Sequence, residues 1–323
     1  MKLDYAIETL VERFKEKDRI ALSKLISIVE NQPEKAYEIF RHFDDNENEA
    51  YIVGITGSPG VGKSTLTGVI SQKLLEQGKS VGIICVDPTS PFSGGAFLGD
   101  RVRMNKISLN ENVFLRSLAS RGYKGGISKA VFDISLLYEA FGKDVIIIET
   151  VGAGQAEFDI YNLAYSVIVV LVPGYGDSIQ MQKAGIIEIG DIYDINKKDL
   201  GGDDIAVQLE TMLDDGDYPS GWRPPVSMTD ACAGEGVDDL LQNIWDHKEH
   251  VELSGLLKEK KRNRYSYKIH ELIHSKIESI ISERFIDEKK INSIINDALT
   301  NGKYSIYDSI QKIFEKIKIL END

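Results

Sequence analysis

Gly57-Ser58-Pro59-Gly60-Val61-Gly62-Lys63-Ser64 decides the fold, because this stretch matches the pattern G-x-x-x-x-G-K-[ST] of a phosphate-binding loop. The apolar run Tyr51–Thr56 precedes it and an amphipathic run, Ser64–Leu75, follows it, so the loop joins a buried strand to a helix. Its glycines let backbone N–H groups surround phosphate oxygens at the positive end of the helix dipole. We therefore expect Lys63 to hold the β- and γ-phosphates of a nucleotide and Ser64 to bind Mg²⁺.

Short apolar runs alternate with helix-length segments from the phosphate loop onward. The seven runs are Tyr51–Thr56, Val81–Val86, Val113–Leu115, Val145–Ile148, Val167–Val172, Ile192–Ile195 and Val226–Thr229. Continuous apolar strands separated by crossovers predict an α/β fold, a mostly parallel central sheet with helices on both faces. Helical periodicity at each end predicts an N-terminal extension over residues 1–45, a nucleotide-binding domain over 46–250 and a C-terminal extension over 251–323.

A second motif, Asn196-Lys197-Lys198-Asp199, ends the sixth apolar run and matches N-K-x-D, the guanine-reading signature of GTPases. The aspartate accepts hydrogen bonds from N1–H and N2–H₂ of guanine, and adenine cannot supply this pair of donors. Thr229-Asp230-Ala231 follows the last run, where GTPases place a loop whose backbone supports guanine O6. The two motifs together predict an enzyme that hydrolyses GTP to GDP and phosphate.

The fourth apolar run ends in Glu149-Thr150-Val151-Gly152, at the place for an acid linked to Mg²⁺ and a glycine that senses the γ-phosphate. The usual acid at this place is aspartate, and here it is Glu149. Gln155 and Glu157 follow in the same switch region. We expect Gln155 to orient the attacking water, as switch glutamines do in other GTPases.

These motifs and the segments between them resemble the MeaB/ArgK-type GTPases, the chaperones of adenosylcobalamin-dependent methylmalonyl-CoA mutase. The resemblance rests on Gly57–Leu66, Val86–Ser90, Gly94–Arg101, Glu149–Glu157, Pro173–Gly185 and Asn196–Asp199. It implies the signal-recognition/MinD (SIMIBI) class of P-loop NTPase folds. A glutamate at position 149 is itself the family's pattern. The family commonly shows Thr-Ser-Ala where this chain has Thr229-Asp230-Ala231, so the carboxylate of Asp230 is expected to alter contacts on the base side.

The resemblance also implies roles for individual residues. Asp87, Asp100 and Glu149 match the acids around Mg²⁺, and Asp177 and Lys183 match charged positions of a further switch that reorganises when the mutase docks. The predicted catalytic residues are Lys63, Gln155, Glu157, Asp177 and Lys183. The predicted metal-binding residues are Ser64, Asp87, Asp100 and Glu149. The predicted nucleotide-binding residues are Gly57, Ser58, Pro59, Gly60, Val61, Gly62, Lys63, Ser64, Thr65, Gly152, Asn196, Lys197, Asp199 and Ala231.

The partners implied by the resemblance are an adenosylcobalamin-dependent acyl-CoA mutase and a second copy of this chain, with the C-terminal extension as the expected dimer contact. GTP hydrolysis would gate delivery of adenosylcobalamin to the mutase and protect it from inactivation. Composition agrees with such a protein: 51 acidic against 38 basic residues give a net charge of −13, which argues against nucleic-acid binding. Only two cysteines and the lack of a long apolar run predict a cytoplasmic protein without a membrane span.

Three other functions remain open from the residues. A phosphate loop also serves kinases and ATPases, and related GTPases insert nickel into apoenzymes, although those carry Cys/His metal sites and this chain has only Cys85 and Cys232. His270-Glu271-Leu272-Ile273-His274 matches H-E-x-x-H, the helix motif of zinc proteases. A zinc site needs a third protein ligand, and no residue stands at a persuasive spacing for it.

Overall fold

One seven-stranded sheet organises the computed structural model, which describes residues 6–43, 49–87, 104–119, 130–150, 156–174 and 188–285. The strand order is β3-β2-β4-β1-β5-β6-β7, and every neighbouring pair is parallel. The strands are β1 (Tyr51–Thr56), β2 (Val81–Asp87), β3 (Val113–Ala119), β4 (Val145–Glu149), β5 (Ser166–Leu171), β6 (Ile192–Asn196) and β7 (Val226–Thr229). The predicted parallel α/β sheet is confirmed.

All seven predicted apolar runs form strands, and the largest difference is at the end of β3. The apolar run stops at Leu115, but the strand continues to Ala119 because Arg116 and Ser117 pair in register with Ile84 and Cys85 of β2. Polar side chains are tolerated there because β3 is an edge strand and its middle residues are only half-buried.

Ten α-helices lie in the part of the chain that the structure describes. They are α1 (Ile7–Lys15), α2 (Arg19–Asn31), α3 (Ala36–Phe40), α4 (Lys63–Glu76), α5 (Asn105–Ser108), α6 (Ala130–Ala140), α7 (Ala156–Leu163), α8 (Asp203–Asp214), α9 (Val237–Leu253) and α10 (Leu256–Phe285). In α2 the residues predicted to share a buried face, Leu22, Leu25, Ile26 and Val29, are all buried. Asp18 begins this helix, since its carboxylate accepts hydrogen bonds from the N–H groups of Ile20 and Ala21.

The helices cover both faces of the sheet. Gly54 of β1 faces α7, where an added Cβ would lie 2.4 Å from Cγ1 of Ile160. Val53 points to the opposite face, and its lateral partner in β5 is Ser166, whose Oγ lies 2.7 Å from His247 Nδ1 of α9. Helices α7 and α9 therefore pack on opposite faces of the sheet.

The chain divides into two compact units, residues 1–264 and residues 265–323. The first unit contains the whole sheet. The second unit contributes residues 265–285 of α10 to the described part of the chain. None of the helices described here combines the length and the apolarity that crossing a membrane requires.

The contact between Gly54 and α7 yields a stability prediction. Gly54→Ala should lower the free energy of unfolding by about 1–3 kcal/mol, because the new methyl group overpacks the interface with Ile160. Gly68→Ala in α4 is the matched control, since its Cβ would lie 3.4 Å from Ile107, an ordinary contact. Urea unfolding followed by circular dichroism checks both variants, and equal effects of the two substitutions would contradict this packing.

Candidate nucleotide site

The carboxyl ends of four strands bring the predicted site residues to one edge of the sheet. The phosphate loop follows β1, Glu149 ends β4, Asn196 ends β6 and Thr229 ends β7. In open parallel sheets this edge is where ligands bind. Motifs that lie more than a hundred residues apart in the sequence therefore meet around the N-terminus of α4.

Two glycines of the phosphate loop allow close approach to the strands beneath it. Gly57 has φ +141°, and a Cβ added there would lie 2.2 Å from the carbonyl oxygen of Val170 in β5. Gly62 has φ +100°, and its added Cβ would lie 2.4 Å from Nδ2 of Asn196. Both positions require glycine because backbone and side-chain atoms occupy the space that any other residue would fill.

Lys63 is the first residue of α4 and is buried, with 6% of its surface exposed. Its Nζ donates hydrogen bonds to the carbonyl oxygens of Gly57, at 2.7 Å, and Ser58, at 3.0 Å. These bonds hold the ammonium group over the loop, next to the backbone N–H groups at the helix N-terminus. The arrangement concentrates positive potential where the sequence predicts phosphate groups.

Glu149 is held at the same edge by hydroxyl groups of α4. Ser64 Oγ donates to Glu149 Oε1 at 2.6 Å, and Thr67 Oγ1 donates to Glu149 Oε2 at 3.2 Å. The pairing of β2 with β4 sets Cys85 opposite Glu149, so Asp87 ends β2 two residues further along at this edge. Both acids are buried.

The oxygen donors of Ser64, Asp87 and Glu149 fit Mg²⁺, which takes one or two carboxylates together with substrate phosphates. Among the residues that the structure describes, no group of three or more His, Cys, Asp or Glu side chains is placed to hold a metal ion by itself. A site with two acids and a hydroxyl therefore suits a cation that is shared with a nucleotide.

The guanine motif is bonded directly to the phosphate loop. Asn196 Nδ2 donates to the carbonyl oxygen of Val61 at 2.9 Å, and Lys197 Nζ donates to that of Gly60 at 2.9 Å. On its other side, Asn196 Oδ1 accepts the N–H of Ala231 at 3.0 Å. The side chain of Asn196 therefore connects its own loop to the phosphate loop and to the loop that contains Ala231. Because only 2% of Asn196 is exposed, its side chain is held in one position.

The remaining described site residues lie around this junction. Asp199 is exposed, in the short 3₁₀ helix Lys198–Leu200 that follows Asn196. Pro59 and Gly60 are exposed at the tip of the phosphate loop, and Thr65 is half-buried in α4.

Asp230, expected to alter base-side contacts, is engaged in its own turn. Its Oδ1 accepts from the N–H groups of Cys232, at 2.9 Å, and Ala233, at 3.1 Å. Its backbone bridges to Glu235, whose carboxylate pairs with Lys198 at 2.8 Å. These contacts order the loop that presents the Ala231 N–H. An aspartate at the start of a turn is the sequence signal for such a role.

Thr67 and Thr229 are site residues that the sequence reasoning missed. Each is fully buried, and each hydroxyl group contacts a predicted site residue: Thr67 contacts Glu149 and Thr229 contacts Asn196. Thr67 belongs to no motif, and Thr229 opens the Thr229-Asp230-Ala231 motif, which gave its side chain no role. Six predicted site residues cannot be compared, because Asp100, Gly152, Gln155, Asp177, Lys183 and the side chain of Glu157 lie outside the described part of the chain.

The H-E-x-x-H helix does not show a zinc site. His270 and His274 lie on α10 with both side chains exposed, and His270 Nδ1 donates to the carbonyl oxygen of Ser266 at 2.7 Å. The described residues offer no third ligand beside them. The two histidines are exposed residues one helical turn apart, and this spacing alone accounts for the match to the H-E-x-x-H pattern.

Comparison with known proteins agrees with the geometry. The family model described as "Methylmalonyl Co-A mutase-associated GTPase MeaB" matches residues 22–285. A putative GTPase of Pyrococcus abyssi is 48% identical over 271 residues, which cover 83% of this chain and 84% of that protein. The chain belongs to the MeaB family of GTPases. The prediction of GTP hydrolysis is therefore confirmed for this MeaB-family protein.

This MeaB-family GTPase is also similar to a eukaryotic protein and to a protein of known crystal structure. A Caenorhabditis elegans protein named "Methylmalonic aciduria type A homolog, mitochondrial" is 29% identical over 286 residues, covering 81% of this chain and 70% of that protein. The crystal structure of an LAO/AO transport system kinase superposes with a TM-score of 0.72 at 24% identity, covering 98% of this chain and 99% of that one. This superposition agrees with the predicted fold, a parallel central sheet with helices on both faces.

The exposed histidines of this MeaB-family GTPase yield a test of the zinc motif. His270→Ala and His274→Ala should leave the GTP hydrolysis rate unchanged, because the described nucleotide site includes neither side chain. Elemental analysis of the purified wild-type protein should find no stoichiometric zinc. One tightly bound zinc ion per chain that either substitution removes would contradict this interpretation.

Proposed function

We propose that this GTPase is a chaperone for an adenosylcobalamin-dependent acyl-CoA mutase, such as methylmalonyl-CoA mutase. GTP hydrolysis would gate delivery of the cofactor and protect the mutase from inactivation. The observation that carries the proposal is the match of residues 22–285 to a family of GTPases associated with that mutase. The name of the Caenorhabditis elegans relative, which refers to methylmalonic aciduria, supports the same client.

The phosphate end of the proposed site binds the nucleotide through the loop between β1 and α4. The backbone N–H groups of residues 60–65 bind phosphate oxygens, and Lys63 exchanges its bonds to Gly57 and Ser58 for bonds to the β- and γ-phosphates. Ser64, Asp87, Glu149 and Asp100 hold Mg²⁺. When bound, the cation neutralises charge that develops on the phosphate oxygens.

The base end of the proposed site is built on Asn196. The side-chain amide of Asn196 forms hydrogen bonds with Val61 and Ala231 and so fixes the loops between which guanine binds. Lys197 lies along the base, and Asp199 accepts the N1–H and N2–H₂ donors of guanine. The Ala231 N–H region supports O6. Direct bonds between the guanine motif and the phosphate loop make the two ends of the site move together.

The switch roles also belong to this proposal. Gly152 senses the γ-phosphate, Gln155 orients the attacking water beside Glu157, and Asp177 and Lys183 complete the site when the mutase docks. The protein acts in the cytoplasm as a homodimer that forms through residues 251–323. Residues 46–250 carry the GTPase activity and residues 1–45 form the N-terminal extension.

Base selection tests the proposed role of Asp199. Asp199→Asn should weaken GTP binding about tenfold or more, because hydrogen bonds to an ionised carboxylate are worth about 1.5–3 kcal/mol. It should also improve binding of xanthosine triphosphate, whose O2 accepts a hydrogen bond from the new amide. Isothermal titration measures both affinities. Asp203→Asn, the same change on an exposed aspartate in the first turn of α8, is the control and should change neither.

A wild-type protein that binds ATP as tightly as GTP would contradict the proposed guanine site. An Asp199→Asn variant with unchanged GTP affinity would remove this residue from the site while leaving the other contacts intact.

Coupling to the mutase tests the proposed role of Lys183. Lys183→Ala should keep most of the basal hydrolysis rate and lose the stimulation by a purified cognate mutase. A positive charge supplied only in the complex stabilises the transition state there and not in the GTPase alone. Single-turnover GTP hydrolysis with and without the mutase measures the two rates. Lys79→Ala, an exposed lysine before β2, is the control and should retain the stimulation.

If Lys183→Ala lowers the basal and the mutase-stimulated hydrolysis rates by the same factor, the lysine acts in the GTPase without the mutase. That result would contradict the partner-coupled switch. A wild-type protein that neither binds adenosylcobalamin-dependent mutases nor responds to them would contradict the chaperone proposal as a whole.

A further inference from the structure

A buried acid lies beneath the guanine motif. Asp194 occupies the middle of β6, between β5 and β7, and its side chain is fully buried. Its Oδ2 lies 2.9 Å from Oγ1 of Thr229 at the end of β7. The same hydroxyl oxygen lies 3.3 Å from Oδ1 of Asn196. Thr229 therefore lies between the buried carboxyl group of Asp194 and the side chain of Asn196. Asn196 begins the guanine loop, residues 196–199, and hydrogen-bonds to the phosphate loop.

The amide of Asn196 has a single orientation in this environment. Its Nδ2 donates to the carbonyl oxygen of Val61, and its Oδ1 accepts the N–H of Ala231. The atom that faces Thr229 is consequently an acceptor. A hydrogen bond between Thr229 and Asn196 can form only when the hydroxyl group of Thr229 is the donor.

The number of protons decides which hydrogen bonds can exist together. A threonine hydroxyl group carries one hydrogen, whereas an ionised Asp194 and the Asn196 amide oxygen would both require it. A protonated Asp194 donates its own hydrogen to Thr229 Oγ1, and Thr229 then donates to Asn196. Both hydrogen bonds form only when Asp194 carries a proton.

We infer that Asp194 is a positioning residue for guanine nucleotide binding, whose protonated carboxyl group directs the Thr229 hydroxyl to Asn196 and so steadies the guanine loop. This inference rests on the proposed role of Asn196 in the guanine site. Loss of the proton turns the Thr229 hydroxyl toward Asp194. Asn196 then loses one of its three hydrogen bonds, and the guanine and phosphate loops are held less firmly.

The surroundings of Asp194 favour the protonated form near neutral pH. Burial raises its pKa to about 7, although the hydrogen bond from Thr229 opposes the shift. In the described part of the chain, Oδ1 of Asp194 has no hydrogen-bond partner, so an ionised carboxylate would be poorly solvated there. The carboxyl group is neutral below this pKa and ionised above it, so the guanine loop should be steadier at the lower pH.

The other charged groups that face Asp194 do not account for a pH dependence of the guanine loop. The neighbouring strands β5 and β7 contain no titratable side chain. On the buried face of α9 the titratable group is His247, which contacts Ser166 and whose pKa burial lowers to about 4, so it is neutral from pH 6 upward. Helix α4 contributes Lys63, whose ammonium group donates to the carbonyl oxygens of Gly57 and Ser58 rather than to Asp194. A pH effect on the guanine loop therefore points to Asp194.

The test is the affinity for GDP between pH 6 and pH 8.5, at constant Mg²⁺ concentration and ionic strength. Relative to Asp194→Asn, the wild type should lose about threefold to tenfold in affinity as the pH rises through 7, which corresponds to one hydrogen bond between neutral groups. Asp194→Asn keeps an amide donor toward Thr229 at every pH. Dividing the two affinities at each pH cancels the titration of the nucleotide phosphates.

Variants at Thr229 supply a second measurement that does not depend on Asp194→Asn folding. Thr229→Val keeps the shape of the side chain but removes the hydroxyl group, so it should weaken GDP binding at pH 6 and abolish the pH dependence specific to the wild type. Thr229→Ser keeps the hydroxyl group and should restore both. Identical pH profiles for the wild type and Thr229→Val overturn the inference.

Asn196→Ala separates the two possible failures. If it weakens GDP binding while the wild type and Asp194→Asn keep parallel pH profiles, the role of Asp194 is wrong and the guanine site stands. If it leaves GDP affinity unchanged, the proposed guanine site fails, and the inference fails with it.

Discussion

The hydrogen bond from Asn196 to the carbonyl oxygen of Val61 is the interaction on which the rest of the site depends. It ties the end of β6 to the phosphate loop, and the N–H of Ala231 ties the end of β7 to the same amide. Because Asn196 is buried, these bonds form away from water and hold one geometry. The parallel sheet makes this junction possible, since it brings the ends of β1, β6 and β7 to one edge.

Glu149 connects two elements on the phosphate side of the site, as Asn196 does on the guanine side. Ser64 and Thr67 both donate to its carboxylate, so the first turns of α4 and the end of β4 are joined through polar contacts in a buried place. The proposed binding of Mg²⁺ would use the same oxygen atoms. Helix α4 therefore links the phosphate loop to the proposed metal-binding acids, while Asn196 links that loop to the proposed guanine-binding residues.

The fold and the places of the phosphate-loop and guanine motifs at one edge of the sheet were predictable because they depend on local residue types. The phosphate-loop pattern places its glycines and Lys63 within eight positions, and the guanine motif places Asn196 and Asp199 at a fixed spacing. The roles of Thr67, Thr229 and Asp194 depend on which strands are neighbours, and no short motif encodes that. Asp194 lies within an apolar run, so its burial was predictable but its partner was not.

The hydrogen bonds from Asn196 and Lys197 to Val61 and Gly60 imply that the guanine motif supports the phosphate loop as well as the proposed base site. Inorganic triphosphate, which has no base, tests this most directly when its affinity is compared in the wild type, Asn196→Ala and Asp199→Ala. Asn196→Ala should weaken triphosphate binding severalfold, which corresponds to the loss of about one hydrogen bond, and Asp199→Ala should leave it unchanged. Unchanged triphosphate affinity in Asn196→Ala would show that the hydrogen bond from Asn196 to Val61 does not support the phosphate loop.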